Sequence, residues 1–196
     1  TVPAQGSVVT LAFAFTSDLH GHLSSTRLLP KRKPSGLAHL VPVLRQLRTE
    51  HPGLVLLDAG DTIQGDPASF YFSHIRPDSG LPLPIIHAMN QLGYHAVVLG
   101  NHDFEPPVSV LQQTIAASKF LWLSGNAWLD GEDRLLLPPY LVLERQGVRV
   151  GIVGFTTPGV PLWIDPERIA GLAFADLVDS AQKWSKILRE RENVDL

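Results

Sequence analysis

Three short segments of the sequence place acidic, amide and imidazole side chains directly after apolar runs. The side chains concerned are Asp18 and His20 after the first run, Asp61 after the second, and Asn101 with His102 after the third. Carboxylate and amide oxygens combined with imidazole nitrogen are more typical of a site for Mn, Fe, Zn or Mg ions than of a structural tetrahedral zinc site. These residue types predict a metal centre if the fold brings the three segments together.

The same residues indicate what chemistry the metal centre would perform. Asp61 is a natural bridge, because one carboxylate can share its oxygens between two cations, and the amide oxygen of Asn101 would add a neutral ligand. Two cations about 3.5–4 Å apart can clamp a phosphate and lower the pKa of a bridging water, which then attacks phosphorus in line with the leaving oxygen. The predicted reaction is hydrolysis of a phosphoester.

The elements that would position these residues alternate between strands and helices. Apolar runs predict strands at 8–17, 54–61, 95–103 and 120–128, and helical spacing predicts helices at about 37–47, 85–93 and 107–118. Pro42 either kinks the first helix or marks its true start. Such alternation implies an α/β fold with a parallel sheet covered on both faces, in which ligands collect at the carboxyl ends of the strands.

The later part of the chain has a different pattern. Residues 140–158 read as a hairpin that turns at Gln146-Gly147, and 176–192 as an amphipathic helix opened by an acid and closed by basic residues. The last letters, NVDL, look like the beginning of a strand, so we expect an unfinished domain. A basic, proline-bearing loop is predicted at 27–36.

Composition excludes several classes of function. The 196 residues carry a formal net charge of −3, which gives no basic footprint for a nucleic-acid polymer. The absence of cysteine excludes disulfides, thiolate metal sites and a cysteine nucleophile. No apolar run approaches the roughly 20 residues of a membrane span, and no signal peptide is visible. There is also no G-x-S-x-G elbow and no P-loop.

The order of the three segments resembles a known family. DLH at 18–20, GD at 60–61 and GNHD at 100–103 resemble the calcineurin-like metallophosphoesterases. The stretches DAGDTIQGDP, LGNHDFE and GFTTPGVPLW are similar to the 5'-nucleotidase branch, and within it most similar to the 2',3'-cyclic-nucleotide 2'-phosphodiesterases. The resemblance runs from about residue 10 to the end. It implies an αββα sandwich that is incomplete at its C-terminus.

The resemblance also implies roles for individual residues. Asp18 and His20 would bind one metal, Asp61 would bridge, and Asn101 would bind the second metal. His102 would be the catalytic histidine, which stabilises charge on the phosphoryl oxygens or assists departure of the leaving group.

Glu105 occupies the position at which some relatives carry an acid that pairs with this histidine. It is one methylene longer than the usual aspartate. Such a pair would raise the basicity of the imidazole and fix its orientation.

The family supplies further parts that residues 1–196 do not contain. Three more metal-binding histidines, two of them in a G-H-x-H segment, and a C-terminal nucleotide-binding domain have no counterpart here. We therefore expect residues 1–196 to be the N-terminal part of a catalytic domain, inactive alone. The resemblance implies two divalent metal ions (Mn, Zn, Fe, Mg or Ca), a nucleotide substrate, and a periplasmic or cell-surface location.

Alternatives remain open from the sequence. Within the same class the protein would be a 5'-nucleotidase or UDP-sugar hydrolase; from another class, a non-catalytic nucleotide-binding or interaction module. Asp61 could instead cap a helix. His22 is either a neighbour of the metal ligands or a surface imidazole. Asp58 and Asp103 are interpreted as structural residues. Asn126 either contacts the substrate or closes a turn.

Overall fold

The computed structural model describes residues 6–24, 35–77 and 80–196. The eight strands found among these residues are β1 (Phe13–Thr16), β2 (Val55–Asp58), β3 (Ala96–Val98), β4 (Leu121–Leu123), β5 (Ala127–Leu129), β6 (Tyr140–Arg145), β7 (Val148–Val153) and β8 (Leu172–Phe174). The α-helices are α1 (Leu37–Glu50), α2 (Pro67–Phe70), α3 (Pro84–Leu92), α4 (Val108–Ala117), α5 (Val160–Trp163) and α6 (Leu177–Glu190). Most of the predicted basic loop at 27–36 lies outside the described residues.

The first four strands form a parallel sheet in the order β1-β2-β3-β4. Their register pairs Thr16 with Asp58 and Val98 with Leu123, so the carboxyl ends of the strands come to one edge of the sheet. The α/β prediction with a parallel sheet is confirmed. The order also places the first and second segments with candidate metal ligands on neighbouring strands.

The sheet separates two apolar layers. On one face, side chains of α1, α3 and α4 pack against the sheet in a core that includes Leu37, Met89 and Trp122. On the other face, the hairpin of β6 and β7 packs through Leu141 and Ile152. The outer side of the hairpin packs against α6. Gly151 of β7 lies so close to Leu188 of α6 that a Cβ added at Gly151 would be 3.0 Å from the leucine side chain. The layers therefore run helix, sheet, hairpin, helix, which is the αββα arrangement.

The structure refines several of the predicted elements. The strands are shorter than the apolar runs, and 127–129 leaves the parallel sheet to pair antiparallel with β8. The hairpin turn at Gln146-Gly147 is confirmed. The two residues have φ of 52° and 79°, and positive φ at both positions is typical of a two-residue hairpin turn. Pro42 lies inside α1, which begins at Leu37. No helix among the described residues has the length and hydropathy for a membrane crossing.

Candidate metal centre

Donor atoms from two neighbouring strand ends converge at the carboxyl edge of the parallel sheet. One ligand atom each from Asp18, His20 and Asp61 lie within 4.8 Å of one another. Nε2 of His20 is 4.0 Å from Oδ1 of Asp18. The convergence that the sequence predicted for these three residues is present in the geometry, while their role as metal ligands stays a prediction.

The backbone at these three residues is in an uncommon conformation. Five non-glycine residues of the described chain have positive φ, and three of them are Asp18 (54°), His20 (47°) and Asp61 (56°). Left-handed residues other than glycine are unfavourable and cluster at functional sites when the surroundings fix them. Here the two loops fix each other, because His20 N–H donates to the Asp61 carbonyl at 2.9 Å and Asp18 N–H to the Gly60 carbonyl at 3.0 Å.

A backbone carbonyl selects the tautomer of His20. Its Nδ1 lies 2.7 Å from the carbonyl oxygen of Gln64 and must donate its proton there. A neutral imidazole has one N–H, so Nε2 keeps a lone pair. That nitrogen is the one that faces Asp18, as a metal ligand requires.

Asp61 lies against the loop that follows β3. Its Oδ1 accepts the backbone N–H of His102 at 2.9 Å. This contact puts Asn101, the residue before His102, beside the three-donor cluster. A Cβ added at Gly100 would lie 2.1 Å from Oδ1 of Asp61, so the loops approach this closely only because residue 100 is glycine.

A fully buried carboxylate holds the two loops together. Asp103 Oδ1 accepts the N–H groups of Thr62 and Ile63, and its Oδ2 accepts those of Asp61 and Gly100, all at 2.8–3.0 Å. Burial raises the pKa of Asp103 to about 6, while its backbone hydrogen bonds act in the opposite direction. Asp103 is thus a structural support of the two loops that carry the candidate ligands Asp61 and Asn101.

Asp58 supports the loop after β2 from the other side. It is buried and accepts hydrogen bonds from the Thr62 hydroxyl at 2.6 Å, the Gly60 N–H at 3.0 Å and the Thr16 hydroxyl. Burial raises its pKa in spite of these bonds. These contacts match the structural role inferred for Asp58 from the sequence.

His102 and Glu105 form a hydrogen-bonded pair next to the donor cluster. Nδ1 of His102 contacts Oε1 of Glu105, and the ring lies 5.1 Å from that of His20. Burial disfavours the charged imidazole, but the hydrogen bond and charge of Glu105, with the charges of Asp61 and Asp103, outweigh it and raise the His102 pKa. The longer side chain of glutamate therefore reaches the histidine, as pairing requires.

Asp18, His20, His102 and Glu105 face a cleft of about 670 Å³. His22, His39 and Gln64 also line it. Nδ1 of His22 is 3.1 Å from the His20 carbonyl, so His22 contacts the backbone of a candidate ligand while remaining exposed. Sequence reasoning gave Gln64 and His39 no place in the site. Gln64 stands in the DAGDTIQGDP stretch, but the sequence does not show what it contacts, and a histidine on a helix face carries no distinguishing signal.

Asn126, at the end of the fourth strand, closes a turn. It is fully buried, its amide donates to the Thr156 carbonyl at 2.8 Å, and its oxygen accepts the Thr156 N–H at 2.9 Å. Of the two alternatives for this residue, the structural one fits the contacts.

The donor set fits a divalent cation. Two carboxylates and an imidazole whose lone pair is preset supply hard oxygen and borderline nitrogen ligands within reach of one ion. Asp18, His20 and Asp61 would hold this ion, with Asn101 beside them.

Comparison with known proteins identifies the family. The sequence model of the calcineurin-like phosphoesterase family matches residues 11–189. The chain belongs to this family, in agreement with the motifs and with the layered fold.

Relatives of the chain carry two kinds of name. The chain is 29% identical over 203 residues to a 2',3'-cyclic-nucleotide 2'-phosphodiesterase/3'-nucleotidase of Yersinia enterocolitica, with 97% of this chain and 31% of the relative covered. It is also 29% identical to a 5'-nucleotidase of Vibrio cholerae, covering 100% of this chain and 35% of the relative. The chain thus spans about a third of the length of these curated relatives.

A solved structure supports the fold. The calcineurin-like phosphoesterase YfkN from Bacillus subtilis superposes with a TM-score of 0.81 at 29% identity, over 93% of this chain and 58% of that one.

Proposed function

We propose that the whole protein hydrolyses nucleotide phosphoesters, acting as a 2',3'-cyclic-nucleotide 2'-phosphodiesterase with 3'-nucleotidase activity. The observation that carries the proposal is the convergence of Asp18, His20 and Asp61 within 4.8 Å beside the His102–Glu105 pair. The name of the Yersinia relative supports the choice of substrate. Because the chain spans 31% of that relative, the proposal concerns the full-length protein.

The residues of this chain divide the work as follows. Two divalent ions held by Asp18, His20, Asp61 and Asn101 would neutralise phosphate charge and activate water. His102 contacts the phosphoryl oxygens or the leaving oxygen, and its side chain is 43% exposed and so accessible from the cleft.

The Glu105 carboxylate accepts a hydrogen bond from the Nδ1–H group of His102. This bond orients the ring so that Nε2 points to the reacting group. In the first step water adds to phosphorus, the bond from phosphorus to the 2'-oxygen breaks, and that oxygen takes a proton. The second step releases phosphate from the 3'-nucleotide in the same way.

An assay of the full-length protein tests the proposal. Metal-free enzyme reconstituted with Mn²⁺ is given 2',3'-cyclic AMP, 3'-AMP and 5'-AMP, and kcat/KM is measured for each. We expect the cyclic substrate to be preferred, with transient 3'-AMP. Preference for 5'-AMP would instead support the 5'-nucleotidase alternative, which the name of the Vibrio relative favours.

The binding-module alternative needs a separate test. Asp61→Asn keeps an oxygen that can accept the His102 N–H but removes a charge from the donor cluster. We expect turnover to fall by roughly 100-fold or more. Nucleotide binding with no turnover in wild type, and no effect of the substitution, would favour the binding module.

Export to the periplasm or the cell surface stays a prediction from the family resemblance. Fractionation of cells that express the full-length protein from its own gene tests it. Recovery in the cytosolic fraction alone would contradict it.

A further inference from the structure

Gln64 contacts both halves of the candidate site. Its backbone carbonyl accepts from Nδ1 of His20 at 2.7 Å, and its side-chain Nε2 donates to Oε2 of Glu105 at 2.9 Å. Glu105 in turn pairs with His102 through its other oxygen. One residue therefore connects a candidate metal ligand to the candidate catalytic pair.

The pair needs such an anchor because packing does not immobilise it. The side chains of His102 and Glu105 are 43% and 33% exposed, and a glutamate has three rotatable bonds. A hydrogen bond from one half-exposed side chain to another orients the imidazole only as well as the glutamate is itself held. The hydrogen bond from Gln64 occupies the second carboxylate oxygen, so that both oxygens of Glu105 are held.

The amide of Gln64 is held in one orientation at a cost. Its Oε1 is buried and has no hydrogen-bond partner among residues 6–24, 35–77 and 80–196. Flipping the amide would turn an oxygen towards Oε2 of Glu105, so two acceptors would face each other. An unpaired buried oxygen is unfavourable and calls for an explanation. Donation to Glu105 provides one.

We propose that Gln64 is a positioning residue of the active site, which holds Glu105 so that His102 presents Nε2 to the substrate. The proposal rests on the function proposed above. It predicts that Gln64 affects the chemical step through Glu105 and has little effect on substrate binding.

The first test compares two glutamine variants of the full-length protein. Gln64→Met keeps the length of the side chain and removes its donor. Gln46→Met is the matched control, because exposed Gln46 makes the same type of bond to Glu50, at 2.8 Å, on α1. For 2',3'-cyclic AMP we expect Gln64→Met to lower kcat about five- to tenfold with KM changed less than about twofold, and the control to match wild type.

A double-mutant cycle shows whether the effect passes through Glu105. In a Glu105→Ala background, Gln64→Met should lower kcat by less than about twofold further. Effects that multiply independently would overturn the proposal, as would a loss confined to KM.

A readout without turnover separates this proposal from the proposed function. The ¹⁵N chemical shifts of the His102 ring report the hydrogen bond at Nδ1, and they can be recorded on metal-free protein. We expect the Nδ1 resonance to move in Gln64→Met and to stay unchanged in Gln46→Met. An unchanged resonance in both variants overturns the positioning role even if the enzyme is active. A shifted resonance in a protein that hydrolyses no nucleotide supports the role and defeats only the proposed function.

Discussion

The carboxylate of Asp103 accepts four backbone N–H groups that come from the loops after β2 and β3. Both oxygens are fully used, and no water-exposed surface remains on the residue. This side chain helps to set the positions of Asp61 and Asn101 relative to each other, since it ties together the two loops that carry them.

Asp103→Asn tests that dependence. Asparagine would turn an amide donor towards two N–H groups, leaving buried donors unpaired, so we expect the free energy of unfolding to fall by about 2–3 kcal/mol. Urea denaturation measures the change. Asp176→Asn is the matched control, because exposed Asp176 caps α6 by accepting two N–H groups, and asparagine caps equally well. Equal stability of the two variants would contradict the assignment.

Residue identities were the part of the site that the sequence predicted best. Asp18, His20, Asp61 and His102 stand at strand ends in recognisable motifs. The structure brings Asp18, His20 and His102 to one cleft and places a donor atom of Asp61 within 4.8 Å of those of Asp18 and His20. Gln64 could not be found in this way, because its contacts depend on the path of the loop.

At the scale of elements, the close approach of two loops builds the site. Gly60 and Gly100 face each other, and a Cβ added at Gly60 would lie 2.6 Å from Gly100 N. The parallel register sets the strand ends side by side, and these glycines let the loops touch. The geometry of the candidate ligands is therefore a property of paired loops on the parallel sheet.

Gly100→Ala tests the need for this approach. No left-handed φ constrains residue 100, so the effect is steric: the added carbon would meet Asp61 Oδ1 at 2.1 Å. We expect a loss of about 2 kcal/mol or more in unfolding free energy and weaker Mn²⁺ binding by calorimetry. Gly53→Ala, whose nearest neighbour would be 3.8 Å away, is the control and should change stability by less than about 0.5 kcal/mol. Unchanged Mn²⁺ affinity in Gly100→Ala would count against the steric account.

His95 links three elements away from the metal centre. At the start of β3, its Nδ1 accepts the Leu56 N–H of β2 at 3.1 Å, and its Nε2 lies 2.7 Å from Arg145 of β6. Burial, followed by the charge of Arg145, lowers the pKa of His95 below 6.5. The folded protein thus favours the neutral ring.

A pH dependence of stability follows from this shift. The contribution of neutral His95 is present above the unfolded-state pKa near 6.5 and is lost as the pH falls through the lower folded-state pKa. We expect the stability advantage of wild type over His95→Asn to shrink between pH 8 and pH 5 in urea denaturation. A constant difference across that range would refute the linkage.

Long, periodic elements were predictable, and those that depend on distant pairing were not. Every strand and helix predicted up to residue 118 is present and in the predicted order, because apolar periodicity reports local burial, whereas α2 was not predicted. The pairing of 127–129 with 172–174 joins segments far apart in sequence. The π-helical turn at Tyr71–Ile75 lies in an aromatic stretch whose spacing favoured no single structure.

At the scale of the whole molecule, the layers and the site define each other. Helices cover one face of the parallel sheet and the β6–β7 hairpin the other, which leaves its carboxyl edge open for the cleft. The family match over residues 11–189 agrees with this layout. The chain spans 31–35% of its curated relatives, so activity is a property to be measured on the full-length protein.

Anomalous diffraction at the manganese edge, from crystals of the full-length protein soaked in MnCl₂, tests the central claim most directly. We predict an anomalous peak for a Mn²⁺ ion bound by Asp18, His20 and Asp61, whose donor atoms already lie within 4.8 Å of one another. Saturating Mn²⁺ that gives no peak at these three side chains, or peaks only elsewhere, would contradict the metal centre and the hydrolytic function built on it.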